Sequence, residues 1–138
     1  MSAAHKQIGE VAERTRLSLR TIRYYEEVGL VVPSARSQGG FRLYSEVDIA
    51  RLQLVRRMKP LDFSLEEMRE LLETIDALTD TATPGPERST LADRLETFRI
   101  AVDERCASLR QQLENAEAFA DELRTEHARH QVGTEPKS

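Results

Sequence analysis

Ten apolar residues set the strongest constraint on this chain: Leu91, Leu95, Phe98, Val102, Cys106, Leu109, Leu113, Ala116, Ala120 and Leu123. Their spacings are 4, 3, 4, 4, 3, 4, 3, 4 and 3. Alternating steps of three and four place side chains on one stripe of an α-helix, the seam of a coiled coil, with one stutter between Val102 and Cys106. The spacing predicts one helix over residues 90–130. At 1.5 Å per residue, about 40 residues make a rod of roughly 60 Å. Such a rod cannot bury its seam on a small preceding domain. It calls for a partner rod, most simply from a second copy of the chain, or for folding back over the helix before it. The ten seam residues are therefore the expected dimer interface.

The sequence around the seam divides readily. Residues 79–89, TDTATPGPERS, are rich in Thr, Pro and Gly and read as a linker. Residues 131–138, QVGTEPKS, read as a disordered tail. Residues 1–78 remain for a globular head. Charge divides earlier, near residue 60. Residues 1–60 carry 11 Lys/Arg against 6 Asp/Glu, or +5; residues 61–138 carry 9 against 18, or −9. A basic head on an acidic tail attracts phosphate at one end only. Hydrophobic residues make up 39% of the chain and no Trp occurs, little for one compact core but adequate for a small helical head. No apolar run approaches the ~20 residues of a membrane span, so no membrane partner is expected. The first residues, MSAAHKQ, lack the apolar core of a secretory signal. The single cysteine, Cys106, excludes an internal disulfide framework. Together these features point to a cytoplasmic protein.

Within the head, residues 8–30, IGEVAERTRLSLRTIRYYEEVGL, read as two short helices joined by a tight turn. Ile8, Val11, Ala12 and Leu17 can pack beneath Leu19, Ile22, Tyr25 and Val28. Ser18 has the side chain of an N-cap for the second helix. On that helix Ile22 and Tyr25 share one face, while Arg20, Arg23, Tyr24 and Glu27 share the other. An outward face with two guanidiniums and a phenol suits the major groove. There Arg can fork onto guanine O6 and N7, and Arg and Tyr can also hold phosphates. A solvated surface helix would look much the same from this stretch alone.

The next stretch, VVPSARSQGGFRLY, breaks helix at Pro33 and at Gly39-Gly40. Val31-Val32 and residues 41–44 read as the flanks of a hairpin, with Arg36 and Arg42 at or beside a tip that Gly39 and Gly40 bend. A basic hairpin following a helix-turn-helix makes a second clamp for phosphate. Ser45 then caps a third helix whose periodic apolar positions are Ile49, Leu52, Val55 or Arg56, and the Leu54–Met58 pair, and which Pro60 ends. Ser64 with Glu67 forms a capping box for a fourth, with an apolar stripe of Leu65, Met68, Leu71, Leu72 and Ile75. The expected fold is mainly all-α: a winged helix-turn-helix with a small β-hairpin, followed by a long coiled-coil helix.

Over residues 8–72 the chain resembles the MerR family of bacterial transcription regulators. The resemblance rests on IGEVAERT, LSLRTIRYYEEVGL, the wing GGFRLY, SEVDIARLQLVRRM and FSLEEMRELL in that order. It implies a homodimer joined by an antiparallel coiled coil. It also implies binding to a pseudopalindrome in the overlong spacer of a promoter, where an effector makes the dimer distort the DNA for RNA polymerase. Carried over by position, Arg20, Thr21, Arg23 and Tyr24 would face the major groove, beside Ser18. Arg36, Arg42 and Tyr44 would grip backbone at the wing, with Gly40 at its tip.

The chain also departs from that pattern. Arg16 and Asp62 stand where the family usually has turn glycines. The cysteines of metal-sensing and redox-sensing members are missing, and so is the added domain of drug-sensing members. The resemblance therefore supplies DNA binding and leaves the effector unknown. An alternative is a ligand-independent structural DNA-binding or adaptor protein that recruits a partner through its coiled coil. No phosphate loop, metal-spaced cluster or nucleophile–base pair suggests an enzyme, and no cofactor or metal is expected. His127 and His130 at the end of the long helix read as solvated. Cys106 reads as a small apolar seam residue, with a redox role as the lesser alternative.

Overall fold

The structure, a computed structural model, describes residues 5–133. The chain divides into two compact units, Met1–Glu96 and Thr97–Ser138. The first contains β1 (Lys6–Gln7), α1 (Ile8–Thr15), α2 (Leu19–Glu27), β2 (Ala35–Arg36), β3 (Arg42–Tyr44), α3 (Glu46–Met58), a 3₁₀ turn (Lys59–Leu61) and α4 (Leu65–Thr79). It also contains the start of α5 (Gly85–Gly133), whose continuation makes up the second unit.

Helix boundaries follow capping chemistry. Ser18 Oγ accepts from Thr21 N at 3.0 Å and starts α2. Ser45 and Asp48 form a reciprocal capping box on α3, and Ser64 and Glu67 form one on α4. Each satisfies two backbone N–H groups that the first helical turn leaves without partners. The far end of α2 closes in a Schellman motif. Gly29 takes φ 71°, Gly29 N donates to Glu26 O at 2.9 Å, and Leu30 N donates to Tyr25 O at 2.9 Å. Glycine holds this left-handed position without a Cβ penalty.

The core gathers where these elements meet. Val11, Ile22, Tyr25, Val31, Tyr44, Leu52 and Val55 are almost fully buried, as are Met58, Phe63 and Met68 farther along. Of the pairing expected between the first two helices, Val11, Ile22 and Tyr25 form the buried centre. Leu19 does not join them and is exposed.

The wing differs from the expected hairpin. Its second strand is there as β3, but its first is Ala35–Arg36, pairing Ala35 with Leu43 and Arg36 with Arg42. Val31-Val32 is not a strand, because Leu30 and Val31 turn inward directly after the Schellman motif. A third strand, β1, pairs Lys6 with Tyr44 and Gln7 with Leu43, giving the order β1-β3-β2. Only Gly40 of the tip glycines has positive φ, 82°. Gly39 lies under the Phe41 ring, whose Cε2 would be 3.1 Å from an added Cβ.

The expected linker over residues 79–89 is shorter than its composition suggests. Thr79 ends α4, and α5 begins at Gly85 rather than residue 90. Proline breaks a helix interior but suits a first turn, where its missing N–H would have no partner. Pro86 occupies that turn, and Arg88 N donates to Pro84 O at 2.9 Å. Arg88 also reaches back, donating to Leu78 O at 2.7 Å and Asp80 O at 3.0 Å, which caps the end of α4. At the other end α5 continues through Gly133, so residues 131–133 of the expected tail are helical. Residues 134–138 lie outside the described residues.

In the second unit α5 leaves apolar seam positions open. Leu109, Leu113 and Leu123 are exposed, while Val102, Cys106 and Ala120 are half-buried.

Two turns are left-handed at non-glycine residues: Arg16 at φ 60° and Asp62 at φ 63°. Arg16 lies in the turn between α1 and α2, which Thr15 braces. The fully buried Thr15 hydroxyl donates to Val11 O at 2.7 Å and accepts from Leu17 N at 3.3 Å. A side chain in this region costs about 1–2 kcal/mol, against roughly 0.5–1 kcal/mol of extra chain entropy for glycine. Arg16→Gly is therefore expected to stabilise the free protein by about 0.5–1 kcal/mol, a few °C in Tm for a head this size. Differential scanning calorimetry checks it; an unchanged or lower Tm would show that the left-handed turn holds no recoverable strain.

Candidate nucleic-acid interface

The outward side of the head is built on α2. Burial of Ile22 and Tyr25 fixes the rotation of this helix, so Arg20, Arg23, Tyr24 and Glu27 are exposed. Tyr24 leans on the buried Tyr25, ring centroids 5.7 Å apart and tilted by 53°, which limits where its phenol can swing. Burial raises the Tyr25 phenol's pKa above its ordinary value, and the neighbouring Tyr24 adds to the effect. At the start of the helix, Ser18 Oγ donates to Thr21 Oγ1 at 2.8 Å while accepting from Thr21 N. The two hydroxyls form a closed pair at the start of α2.

The far end of α2 is tied to α4, and the neighbouring helices are tied to each other. Arg69 from α4 donates to Val28 O at 2.6 Å, just beyond the last turn. Arg14 of α1 makes a two-pronged pair with Glu46 at the start of α3, at 2.8 and 2.9 Å. That pair holds the Glu46 carboxyl below its ordinary pKa, chiefly through the hydrogen bond from Arg14.

The wing base is anchored by Asp48, which is almost fully buried. Its carboxylate accepts from Ser34 N at 3.0 Å, Ser45 N at 2.9 Å and Arg51 Nη1 at 3.3 Å. A buried carboxylate with this many donors is fully satisfied, and removing it would orphan several of them at once. At the tip, Ser37 accepts from Gly40 N at 2.9 Å and donates through its own N to Phe41 O at 2.9 Å.

Placement of the sequence-predicted residues is uneven. Ser18, Arg20, Thr21, Arg23 and Tyr24 lie together along α2. Arg36 and Arg42 lie side by side on paired strands. Both polar groups of Gly40 are occupied within the wing, its carbonyl accepting from Arg36 Nη1 at 3.2 Å. Tyr44 is a correction. It is 0% exposed, so its phenol cannot grip a phosphate in this conformation. Period-two alternation in β3 turns Tyr44 inward, opposite Leu43, and its hydroxyl lies buried without a hydrogen-bond partner. Burial raises its pKa, with Glu26 adding to the effect.

Glu26 is the residue that sequence reasoning missed. It accepts from Arg36 Nη2 at 3.1 Å and from Arg42 Nε, and so joins α2 to both strands of the wing. The hydrogen bond that Arg42 donates to Glu26 raises the Arg42 pKa above its ordinary value.

Elsewhere, a cavity of about 270 Å³ opens between residues 29–34, α3 and α4. Its charged lining is largely self-paired, Arg51 bridging Asp48 and Asp76. Among the described residues no group of three or more metal-ligating side chains comes together. His130 is exposed, 3.3 Å from Glu126. Cys106 is a half-buried free thiol.

Comparison with known proteins gives the following. Residues 7–75 match the family model of the MerR HTH family regulatory proteins, and residues 49–125 match the model described as MerR, DNA binding. The chain is 34% identical over 117 residues to nodulation protein NolA of Bradyrhizobium elkanii, covering 75% of this chain and 53% of NolA. It is 47% identical over 66 residues to the HTH-type transcriptional regulator ZntR of Escherichia coli K12, covering 48% of this chain and 47% of ZntR. The chain thus spans about half the length of these curated relatives. Among solved structures it is similar to HiNmlR, a MerR family regulator lacking the sensor domain, bound to promoter DNA. The TM-score is 0.64 at 22% identity, covering 90% of this chain and 94% of that one. That likeness shows a shared fold.

The N-terminal cap of α2 is open to test. Ser18→Ala should cost about 1 kcal/mol, the usual loss for a removed cap. Urea denaturation is expected to show a lower midpoint with an unchanged slope. An unchanged midpoint would mean that water replaces the Ser18 oxygen at no loss.

Proposed function

The chain belongs to the MerR family of helix-turn-helix regulatory proteins, and from that footing we propose that it is a sequence-specific, DNA-binding transcription regulator. It acts as a homodimer on a pseudopalindromic promoter spacer in the cytoplasm and alters the conformation of that spacer for RNA polymerase. The observation that carries this reading is the outward face of α2. Arg20, Arg23 and Tyr24 project from a helix capped by Ser18 at its start and bound by Arg69 at its far end, and two wing arginines stand beside it.

Each part has a distinct task. Arg23 and Arg20 enter the major groove, where a guanidinium reads guanine by two parallel hydrogen bonds. Tyr24, beside Tyr25, and the Thr21 hydroxyl hold adjacent phosphates and set the register. Arg36 and Arg42 take the backbone beside the groove. The seam of α5 pairs with that of a second copy, so that two heads meet two half-sites. The direct test is to sequence the genomic fragments that the purified protein retains and then to footprint one. A single protected site over a promoter spacer is expected. Long cooperative coverage would favour a structural DNA-binding protein instead.

Two further outcomes follow from the division of labour. Arg23→Ala should cost roughly 1–3 kcal/mol on the best site, since a base contact is lost. Arg42→Ala should weaken binding to random as well as specific sequences and reduce the salt slope by about 0.9, one phosphate contact. Anisotropy titrations on specific and random duplexes separate the two; equal losses on both duplexes for Arg23→Ala would move Arg23 to the backbone.

For the dimer, charge placed on the exposed seam at Leu109 and Leu113 should prevent association. Sedimentation of the Leu109→Glu, Leu113→Glu protein is expected to give a monomer. A dimer would place the interface elsewhere.

A further inference from the structure

We propose that Glu26 is a positioning residue for DNA recognition: one carboxylate at the end of the recognition helix holds both wing arginines side by side, as a single phosphate clamp in fixed register with α2. The inference rests on the DNA-binding reading above and deepens it. Three observations support it. The Glu26 carboxylate is divided between its two oxygens, Oε2 taking Arg36 Nη2 and Oε1 taking Arg42 Nε. The Glu26 side chain is 18% exposed, whereas those of Arg36 and Arg42 are 50% and 32% exposed. Glu26 is thus the inner layer, with the guanidiniums outside it. Finally, Arg42 is held through Nε, and among the described residues its two terminal nitrogens have no partner. Arg36 is oriented by a second bond to Gly40 O at 3.2 Å.

Two guanidiniums on facing positions of paired strands repel one another, and long side chains on a short hairpin carry large rotamer entropy. A shared carboxylate removes both difficulties before DNA arrives. It lowers the net charge of the trio to +1, which reduces indiscriminate attraction, while the guanidinium planes are already set. Because Glu26 is three residues beyond Arg23 on the same helix, the clamp and the base-reading side chain move as one body. A phosphate bound at the wing then specifies where Arg23 meets the groove.

The test uses the full chain and three variants: Glu26→Gln, Glu26→Asp and the double variant Glu26→Gln, Arg42→Ala. Each is titrated at several salt concentrations on a retained genomic fragment and on random duplex of equal length. Glu26→Asp keeps the charge but withdraws the carboxylate by one methylene, too short to span both arginines. It is expected to lower affinity for the retained fragment about ten-fold, the scale of one charge-assisted hydrogen bond, with random-duplex affinity and salt slope unchanged. Glu26→Gln should show the same loss of discrimination with tighter random binding. In the Arg42→Ala background the Glu26→Gln effect on discrimination should shrink.

Equal tightening on both duplexes by Glu26→Gln, with Glu26→Asp indistinguishable from wild type, would make Glu26 a charge brake and overturn the proposal. Thermal melts accompany every variant; unfolding of both single variants would assign Glu26 to stability alone and overturn it too. Wild-type protein that prefers no fragment would defeat the DNA-regulator reading itself. Wild-type discrimination with unaltered variants would defeat only the role of Glu26.

Discussion

A nine-residue helix cannot hold itself together in water, and every proposed contact with DNA on α2 depends on one. Isolated helices of this length are marginal because the first turn costs more than it returns. The head meets that deficit at three places. Ser18 satisfies a donor at the start, the Schellman closure at Gly29 satisfies carbonyls at the end, and Ile22 and Tyr25 bury the inner face. Arg69 adds a bond from α4 to the carbonyl of Val28. Each contribution is modest, and losing any one would let the helix fray at the end where a reading side chain stands. Precise aim at DNA is thus a consequence of end-capping as much as of core packing.

The wing solves a related problem differently. Strands of two and three residues carry too few ladder bonds to be independent. Their stability is borrowed from β1, which adds a second partner to β3, and from Asp48, which gathers Ser34, Ser45 and Arg51 at the base. Replacing such a carboxylate by an apolar residue would leave buried N–H groups without acceptors. Glu26 serves the outer part of the same hairpin. The two carboxylates divide the work: Asp48 fixes where the wing starts, and Glu26 ties its arginines to α2.

Much of this was legible in the sequence because it is local. Ser18, Ser45 and Ser64 announce helix starts by a short polar side chain before a periodic run. The inward face of α2 follows from the spacing of Ile22 and Tyr25. Arg16 and Asp62 stand at two left-handed turns where family resemblance expects glycine. What escaped is non-local or depends on context. The Pro and Gly of residues 79–89 read as helix breakers, though Pro86 in a first turn starts a helix. Val31 looked like a strand residue, but the Schellman turn before it delivers it to the core. Family resemblance makes Tyr44 a phosphate ligand, but strand pairing with β1 turns it inward. Thr15, Asp48 and Glu26 gave no sign, since a polar residue reveals its burial or its bridging role only when distant segments meet.

The long helix is governed by the opposite imbalance. Its i, i+4 pairs, such as Arg99–Asp103 and Gln111–Asn115, are exposed and contribute only a few tenths of a kcal/mol each. Leu109, Leu113, Phe119 and Leu123 are all exposed within the second unit. A helix gains most of its stability from covering an apolar face, and in a single copy this one covers little. On the proposed reading, association supplies the missing burial, so folding of the second unit and dimer formation are one equilibrium dependent on protein concentration. The head, with its own core and caps, need not share that dependence. Residues 85–133 carry 7 Arg against 10 Asp/Glu, so the rod gains little from contact with DNA phosphates. On the same reading, association through the seam rises with protein concentration, while α2 keeps its own caps and core contacts.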